Sequence, residues 1–189
     1  MAEEPSSDRA SPSSARAELQ NISRTSPGSH ASPCSYTSSA TLPWVFYRRD
    51  GYTEGLREAG LETDENLVLW LSSSQQQSQT DRLAHYLHQQ RPTAVLFGCF
   101  AAVKFLAPLV ASGSLRVPQD LSVVNFDQHA QCAGWLGGVS PTTVALPLHA
   151  MGRHLAQMAH EIVEQKQLPA VTQLPCHLVH GDSVAAPAS

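Results

Sequence analysis

The segment Arg91–Gln128, RPTAVLFGCFAAVKFLAPLVASGSLRVPQDLSVVNFDQ, constrains the fold more than any other part of the chain. It predicts a strand over Ala94–Gly98, a helix over Phe100–Ala111, a turn over Ser112–Gln119 and a second strand over Leu121–Asp127. Both strands are almost continuously apolar, the pattern of strands covered on both faces in a parallel sheet. A helix between two such strands is a βαβ crossover, because parallel neighbours cannot be joined by a tight hairpin. Pro92 bars helix just before the first strand, and Gly113 and Pro118 punctuate the return. Open parallel sheets bind ligands at the carboxyl ends of their strands. Here those ends carry Gly98-Cys99-Phe100 and Asn125-Phe126-Asp127.

The flanking segments extend the same alternation. Asp50–Ala59 predicts a helix with Gly60 as its stop, and Leu67–Leu71 a buried strand. LPWVFY (Leu42–Tyr47) reads either as a short strand or as the lead into that helix. SSSQQQSQT is a polar loop, after which Thr80 or Asp81 caps a helix that sets Leu83, Tyr86 and Leu87 on one face. Beyond Asp127 an irregular stretch, QHAQCAGWLGGVSP, leads to a strand over Thr142–Leu146. The longest helical pattern follows, with Leu148, Met151, Leu155, Met158, Ala159 and Ile162 at helical spacing through Gln165. Thr172–Val179 predicts a last strand and GDSVAAPAS an exposed tail. Helices alternating with strands in this way specify a three-layer α/β fold with a mostly parallel sheet.

Residues 1–42 differ in character: rich in Ser, Pro, Ala and Thr, they hold few large apolar side chains. Such a segment buries too little surface to offset its ordering entropy and is expected to be a disordered tail, with at most a transient helix over Ser14–Ser23. The folded unit is expected over residues 43–187. A net charge of −4 argues against unaided, non-specific binding to nucleic acid. No apolar run is long enough to cross a membrane, and the start MAEEPSSDRASPSS lacks the basic and apolar regions of a secretory signal, so the expected location is cytoplasmic. Cys34, Cys99, Cys132 and Cys176 are scattered without a CxxC or Cys/His knuckle, so no zinc site and no cofactor is expected, and reduced thiols suit that compartment. His149, His154 and His160 are not paired at metal-ligating spacing on the long helix.

Three positions carry candidate chemistry. Asp127, at a strand tip, can accept hydrogen bonds from ligand hydroxyls, or it can cap the next segment. Arg48 and Arg49, just before a helix, offer a fork for a carboxylate or paired hydroxyls, or they are simply solvated. Cys99, at a strand-to-helix junction, has the position of a nucleophile, but Phe97 and Phe100 make its surroundings apolar and no histidine spacing singles out a base.

Five segments in order then resemble the effector-binding core of the lactose/galactose repressor (LacI/GalR) family: RRDGYTEGLREAGL, RPTAVLFGCFAAVKFL, LRVPQDLSVVNFD, SPTTVALPLHAMGRHLAQ and LPCHLVHGDSVAAP. VPQDLSVVNFD followed by PTTV and MG is the most specific part. The resemblance implies a periplasmic-binding-protein-like (type I) fold that senses a small effector, commonly a sugar or nucleoside, for a dimeric DNA-binding transcriptional regulator without enzymatic activity. The family's ligand-contacting arginine falls on Arg48 and its strand-tip aspartate on Asp127. Phe100 and Trp135 stand where apolar walls against a sugar ring would be, although Trp135 suits packing equally well.

The chain also departs from the family. Cys99-Phe100 replaces the usual Asn-Asp pair, which weakens hydroxyl recognition at that tip. Asn125 replaces a small residue and Gly181 an arginine. Nothing in residues 1–47 resembles the family's helix-turn-helix, hinge helix or the first half of its N-terminal subdomain, so the sensor is expected to be incomplete and mainly a C-terminal subdomain. DNA would then be reached only through a missing or partner domain, in a homodimer or with a full-length regulator. The long helix and last strand, which normally pack on the absent half, would show an uncovered apolar face. Two further readings compete: a free solute-binding protein of the same fold, and an α/β hydrolase using Cys99.

Overall fold

The computed structural model describes residues 31–36, 43–72 and 76–186. Strands β1 (Ala31–Tyr36), β2 (Leu69–Leu71), β3 (Ala94–Phe97), β4 (Ser122–Phe126), β5 (Thr142–Ala145) and β6 (His177–Val179) form one sheet in the order β2-β1-β3-β4-β5-β6. The first five are mutually parallel, and β6 runs antiparallel to β5. Helices α1 (Pro43–Glu58), α2 (Gln76–Gln90), α3 (Phe100–Val103), α4 (Ala107–Ala111), α5 (Gln131–Trp135) and α6 (Leu148–Val163) occupy the connections. This is the α/β architecture the alternation predicts. The strand order turns back between β1 and β3, which makes the carboxyl ends of those strands the switch point of the sheet.

β1 is a correction to the sequence reading, because it lies inside the segment assigned to a disordered tail. ASPCSY has no apolar run and carries Pro33, which lacks a backbone donor and argues against an inner strand. Pairing on both sides decides it: Ala31–Cys34 lie against Ala94–Phe97, and Cys34–Tyr36 against Leu69–Leu71. Tertiary context here overrides a local preference. The remainder of that tail, including Ser14–Ser23, lies outside the described residues, as does part of the SSSQQQSQT loop.

PWVFY (Pro43–Tyr47) resolves as helix, so α1 starts at Pro43 rather than Asp50; proline is well suited to a first turn, where its missing N–H has no partner to lose. Gly60, at φ +75°, ends the turn after α1 in the left-handed conformation that glycine adopts freely. α2 begins at Gln76, so Thr80 is buried inside it and caps nothing. The helix predicted over Phe100–Ala111 is split by a 3₁₀ turn, Lys104–Leu106, and resumes at Ala107-Pro108, where the proline cannot donate to a continuing helical ladder.

The core lies on one face of the central strands. Val95 and Phe97 of β3 pair in register with Val123 and Asn125 of β4, and all four are fully buried. Leu83, Val103, Phe105, Leu106, Leu121 and Leu136 pack over them. The alternate residues Leu96 and Val124 are only half-buried, so the two faces are not equally covered as the apolar runs imply.

The carboxyl-terminal tail also departs from expectation. Ser183 is fully buried between β4 and β5. Its carbonyl accepts from Val123 N–H at 2.8 Å. Its hydroxyl donates to Val123 O and accepts from Thr142 N–H at 2.8 Å. Asp182 N–H donates to Ser140 O, and Ala185 N–H to Ser122 Oγ. Gly181–Ala185 is short of large side chains because it is stitched to strand ends by hydrogen bonds, not because it is solvated. Among the described residues no helix is long and apolar enough to cross a membrane.

Candidate functional site

Three elements converge at the carboxyl ends of β3 and β4. α1 supplies Arg48, the turn after β3 supplies Gly98, and the turn after β4 supplies Asp127. Arg48 Nη1 donates to Asp127 Oδ2 at 3.0 Å and Nη2 to Oδ1 at 2.9 Å, a bidentate fork, and Nη1 also reaches the Gly98 carbonyl. Both side chains are mostly buried, at 17% and 24% exposure, so this pair is less screened than an ordinary surface ion pair. The guanidinium carbon lies 4.8 Å from the Trp44 ring centroid and 4.7 Å from that of Phe126. Trp44 stands one helical turn before Arg48 on α1. Two aromatic rings and a carboxylate therefore fix the arginine in place before any ligand arrives.

Asp127 is held with equal care. Its φ of +69° places it in the left-handed region that aspartate tolerates better than most residues, and its N–H donates to Val144 O on β5. Asn125 Nδ2 donates to the carbonyls of Phe126 and Asp127, at 3.1 and 3.0 Å. Asn125 Oδ1 accepts from Thr143 Oγ1 at 2.7 Å. Asn125 is thus a positioning residue for the strand-tip turn, satisfied on both ends of its amide inside the core.

On the other side of the tips, Phe100 stacks on His129, with centroids 4.4 Å apart and planes within 7°. Phe100 opens α3 and packs on the core edge. Cys99 precedes it in extended conformation and makes no side-chain cap. Burial pushes the Cys99 thiol up, an effect opposed by the Ala101 backbone N–H and reinforced by the Asp127 charge. An activated nucleophile needs the reverse, so the geometry does not favour a Cys99 hydrolase. Buried Cys132 is likewise pushed up, to about 11, by desolvation and its nearness to Cys99.

Of the sequence candidates, Arg48 and Asp127 are brought into direct contact, and Phe100 lines the neighbouring tip through His129. Trp135 sits in α5, half-buried and packed against the core cluster. Arg49 is turned to its neighbour Asp50 and takes no part. Trp44 and His129 were not singled out by sequence reasoning, and Phe126 only as part of the β4 tip. The i,i+4 relation of Trp44 to Arg48 becomes a signal only once LPWVFY is read as helix. Among the described residues no group of three His, Cys, Asp or Glu side chains could hold a metal ion. A separate open depression of about 560 Å³ lies along α2 and β2, lined by Leu69, Arg82, His85 and Tyr86.

Comparison with known proteins places the fold in a family. The family described as the periplasmic binding protein-like domain matches residues 34–184. No curated protein matches the sequence. Similar solved structures include the transcription regulator CcpA of Lactococcus lactis, 17% identical over 90% of this chain and 61% of that one, with a TM-score of 0.69. A LacI-family transcriptional regulator from Mycobacterium smegmatis is 24% identical over 92% and 62%, with a TM-score of 0.65. The transcriptional regulator CelR in complex with cellobiose is 24% identical over 87% and 49%, with a TM-score of 0.68. The chain therefore spans between about half and three fifths of the length of these proteins, and at such identities the likeness is one of fold.

Proposed function

Since the chain belongs to the periplasmic binding protein-like domain family, we propose that it is the effector-sensing part of a LacI/GalR-like transcriptional regulator and that its effector is a sugar-type molecule. The observation that carries this reading is the Arg48–Asp127 fork, placed at the carboxyl ends of β3 and β4 by three separate elements. A guanidinium and a carboxylate set side by side offer donors and acceptors to adjacent hydroxyls, the arrangement a polyol needs. In this reading a sugar shares the fork, with Asp127 accepting from its hydroxyls and Arg48 donating to them. Phe100 and Trp135 supply apolar walls, and Cys99-Phe100 makes that side of the site less polar than an Asn-Asp pair would.

The net charge of −4 agrees with a sensor that leaves DNA to other residues or to another chain. Regulation then runs through association, either between copies of this chain or with a full-length regulator. Isothermal titration of the folded protein with a panel of mono- and disaccharides tests the effector reading. Saturable heat with at least one sugar, lost in Arg48→Ala and Asp127→Ala, is expected. Folded protein that gives no heat with any sugar overturns it.

A further inference from the structure

The tip of β3 is short of open acceptors. The Gly98 carbonyl takes the Arg48 guanidinium, the Cys99 carbonyl takes the Ala102 N–H at 3.1 Å, and the Phe100 carbonyl takes the Cys132 thiol at 3.9 Å. The Cys99 thiol stays protonated, because burial pushes it up. One face of the Phe100 ring is covered by the exposed imidazole of His129, which lies flat against it. His129 Nδ1 accepts from the Gln131 N–H at 3.3 Å, so the neutral ring carries its proton on Nε2. That Nε2–H has no partner among the described residues. The tip therefore has an open donor and no open acceptor.

We propose that His129 is a specificity-determining residue of the effector site, and that its Nε2–H selects a sugar whose oxygen at this end accepts a hydrogen bond but has none to donate. The inference rests on the sugar reading given above and narrows it. A glycosidic oxygen, a ring ether oxygen or an N-acyl carbonyl has that character. A free hydroxyl can also accept from Nε2–H, but its own hydrogen then meets a tip whose acceptors are engaged, and it goes unpaired once the ligand has displaced water. An Asn-Asp pair carries acceptors as well as donors and has no such bias. Cys99-Phe100 supplies neither, so the imidazole brought over from the β4 side is what restores a polar contact here. The Arg48–Asp127 fork both donates and accepts. The two tips together then read a free diol at one end of the ligand and a substituted oxygen at the other.

Isothermal titration of the full chain with matched probes tests it: glucose and galactose, each against its methyl glycosides and its N-acetylated amino-sugar analogue. A substituted probe is expected to bind about tenfold tighter than its parent. His129→Phe keeps a stacked ring and loses the donor, whereas His129→Ser keeps an acceptor for the Gln131 N–H and loses the ring. Both should abolish the preference while the remaining binding still depends on Arg48. Three results overturn the proposal. The first is sugars that bind through Arg48 and Asp127 with no preference for the substituted probes. The second is a preference that survives His129→Phe, which would assign it to ring packing, or His129→Ser, which would leave His129 only a cap. The third is nitrogen NMR spectra of the folded chain, with His129 assigned by its loss in His129→Phe, that place the proton of the neutral ring on Nδ1. Each of these leaves the fork as the effector site and removes His129 from it, whereas folded protein silent to every probe overturns both readings.

Discussion

The amide of Asn125 and the hydroxyl of Thr143 meet at 2.7 Å inside the core, and from that contact the strand-tip turn is built. Thr143 fixes Asn125 Oδ1, which aims Nδ2 at the carbonyls of Phe126 and Asp127. The turn then holds Asp127 in its left-handed conformation, where its carboxylate meets Arg48. A fully buried polar pair on the β4–β5 seam thereby governs the geometry of a mostly buried ion pair at the carboxyl ends of the strands.

Asn125→Leu should be costly on this account. It removes two donors and an acceptor and leaves the Thr143 hydroxyl and two turn carbonyls to find other partners. A loss of about 2–4 kcal/mol in urea unfolding is expected. Thr143→Val, which keeps shape and removes one hydroxyl, should cost about 1–2 kcal/mol. The two losses should fall short of additivity, because both variants break the same contact.

The Arg48–Asp127 fork can be weighed by a double-mutant cycle. Arg48→Ala and Asp127→Ala, singly and together, should give a coupling of about 1–2 kcal/mol, above the usual surface pair because the fork is bidentate and mostly buried. Salt should lower the coupling only modestly, since the pair is shielded from solvent. A coupling near zero would mean the rings of Trp44 and Phe126, not the carboxylate, hold the arginine.

Much of this site is legible in the chain itself, and the limits of that legibility are physical. Two apolar runs around a short helix specify the βαβ unit and put Asp127 at a tip. The resemblance to LacI/GalR regulators then picks out Arg48. β1 is invisible because ASPCSY has neither alternation nor an apolar run, and Pro33 argues against it; only the two strands beside it make it a strand. Ser183 is hidden for a related reason. A short polar segment reads as a solvated tail unless one knows that two strand ends nearby need hydrogen-bond partners.

Ser183→Ala tests that stitching directly. The substitution removes the acceptor for Thr142 N–H and the donor to Val123 O in a fully buried position. About 2–3 kcal/mol should be lost in denaturant unfolding, far more than for a serine in an exposed tail. Amide exchange should rise at Thr142 and Val123 before it rises elsewhere in the sheet.

Thiol chemistry gives a prediction with a definite sign. The folded chain holds Cys132 at about 11, up from an ordinary 9.0, and holds Cys99 higher than usual as well. Between those values the unfolded chain binds fewer protons than the folded one, so stability is intact below pH 9 and falls as pH rises towards 11. The slope is at most about 1.4 kcal/mol per pH unit for each thiol. At neutral pH, peptide mapping after alkylation should find exposed Cys176 labelled quickly and Cys99 and Cys132 slowly, with the last two released by denaturant. Rapid labelling of Cys99 in the folded protein would restore the case for a nucleophile there.

Gly181 joins the resemblance to the packing. An arginine is usual at this position in LacI/GalR regulators, yet a Cβ here would lie 2.3 Å from Ser140 O and 2.6 Å from the Pro141 carbonyl carbon. Both obstacles are backbone, so neither can swing aside. The closeness also serves the chain, since Gly181 N–H donates to Thr142 Oγ1 and the next residue, Asp182, donates to Ser140 O. Gly181→Ala should therefore destabilise by about 2–4 kcal/mol, the range of an overpacked or strained site, and Gly181→Arg should not recover the family's arrangement. Ser183, two residues on, depends on this approach: if residue 181 is pushed away from β5, Ser183 is drawn out of its pocket between β4 and β5. Gly181→Ala and Ser183→Ala should accordingly be less than additive in unfolding free energy, and full additivity would show that the two residues hold the strand ends independently.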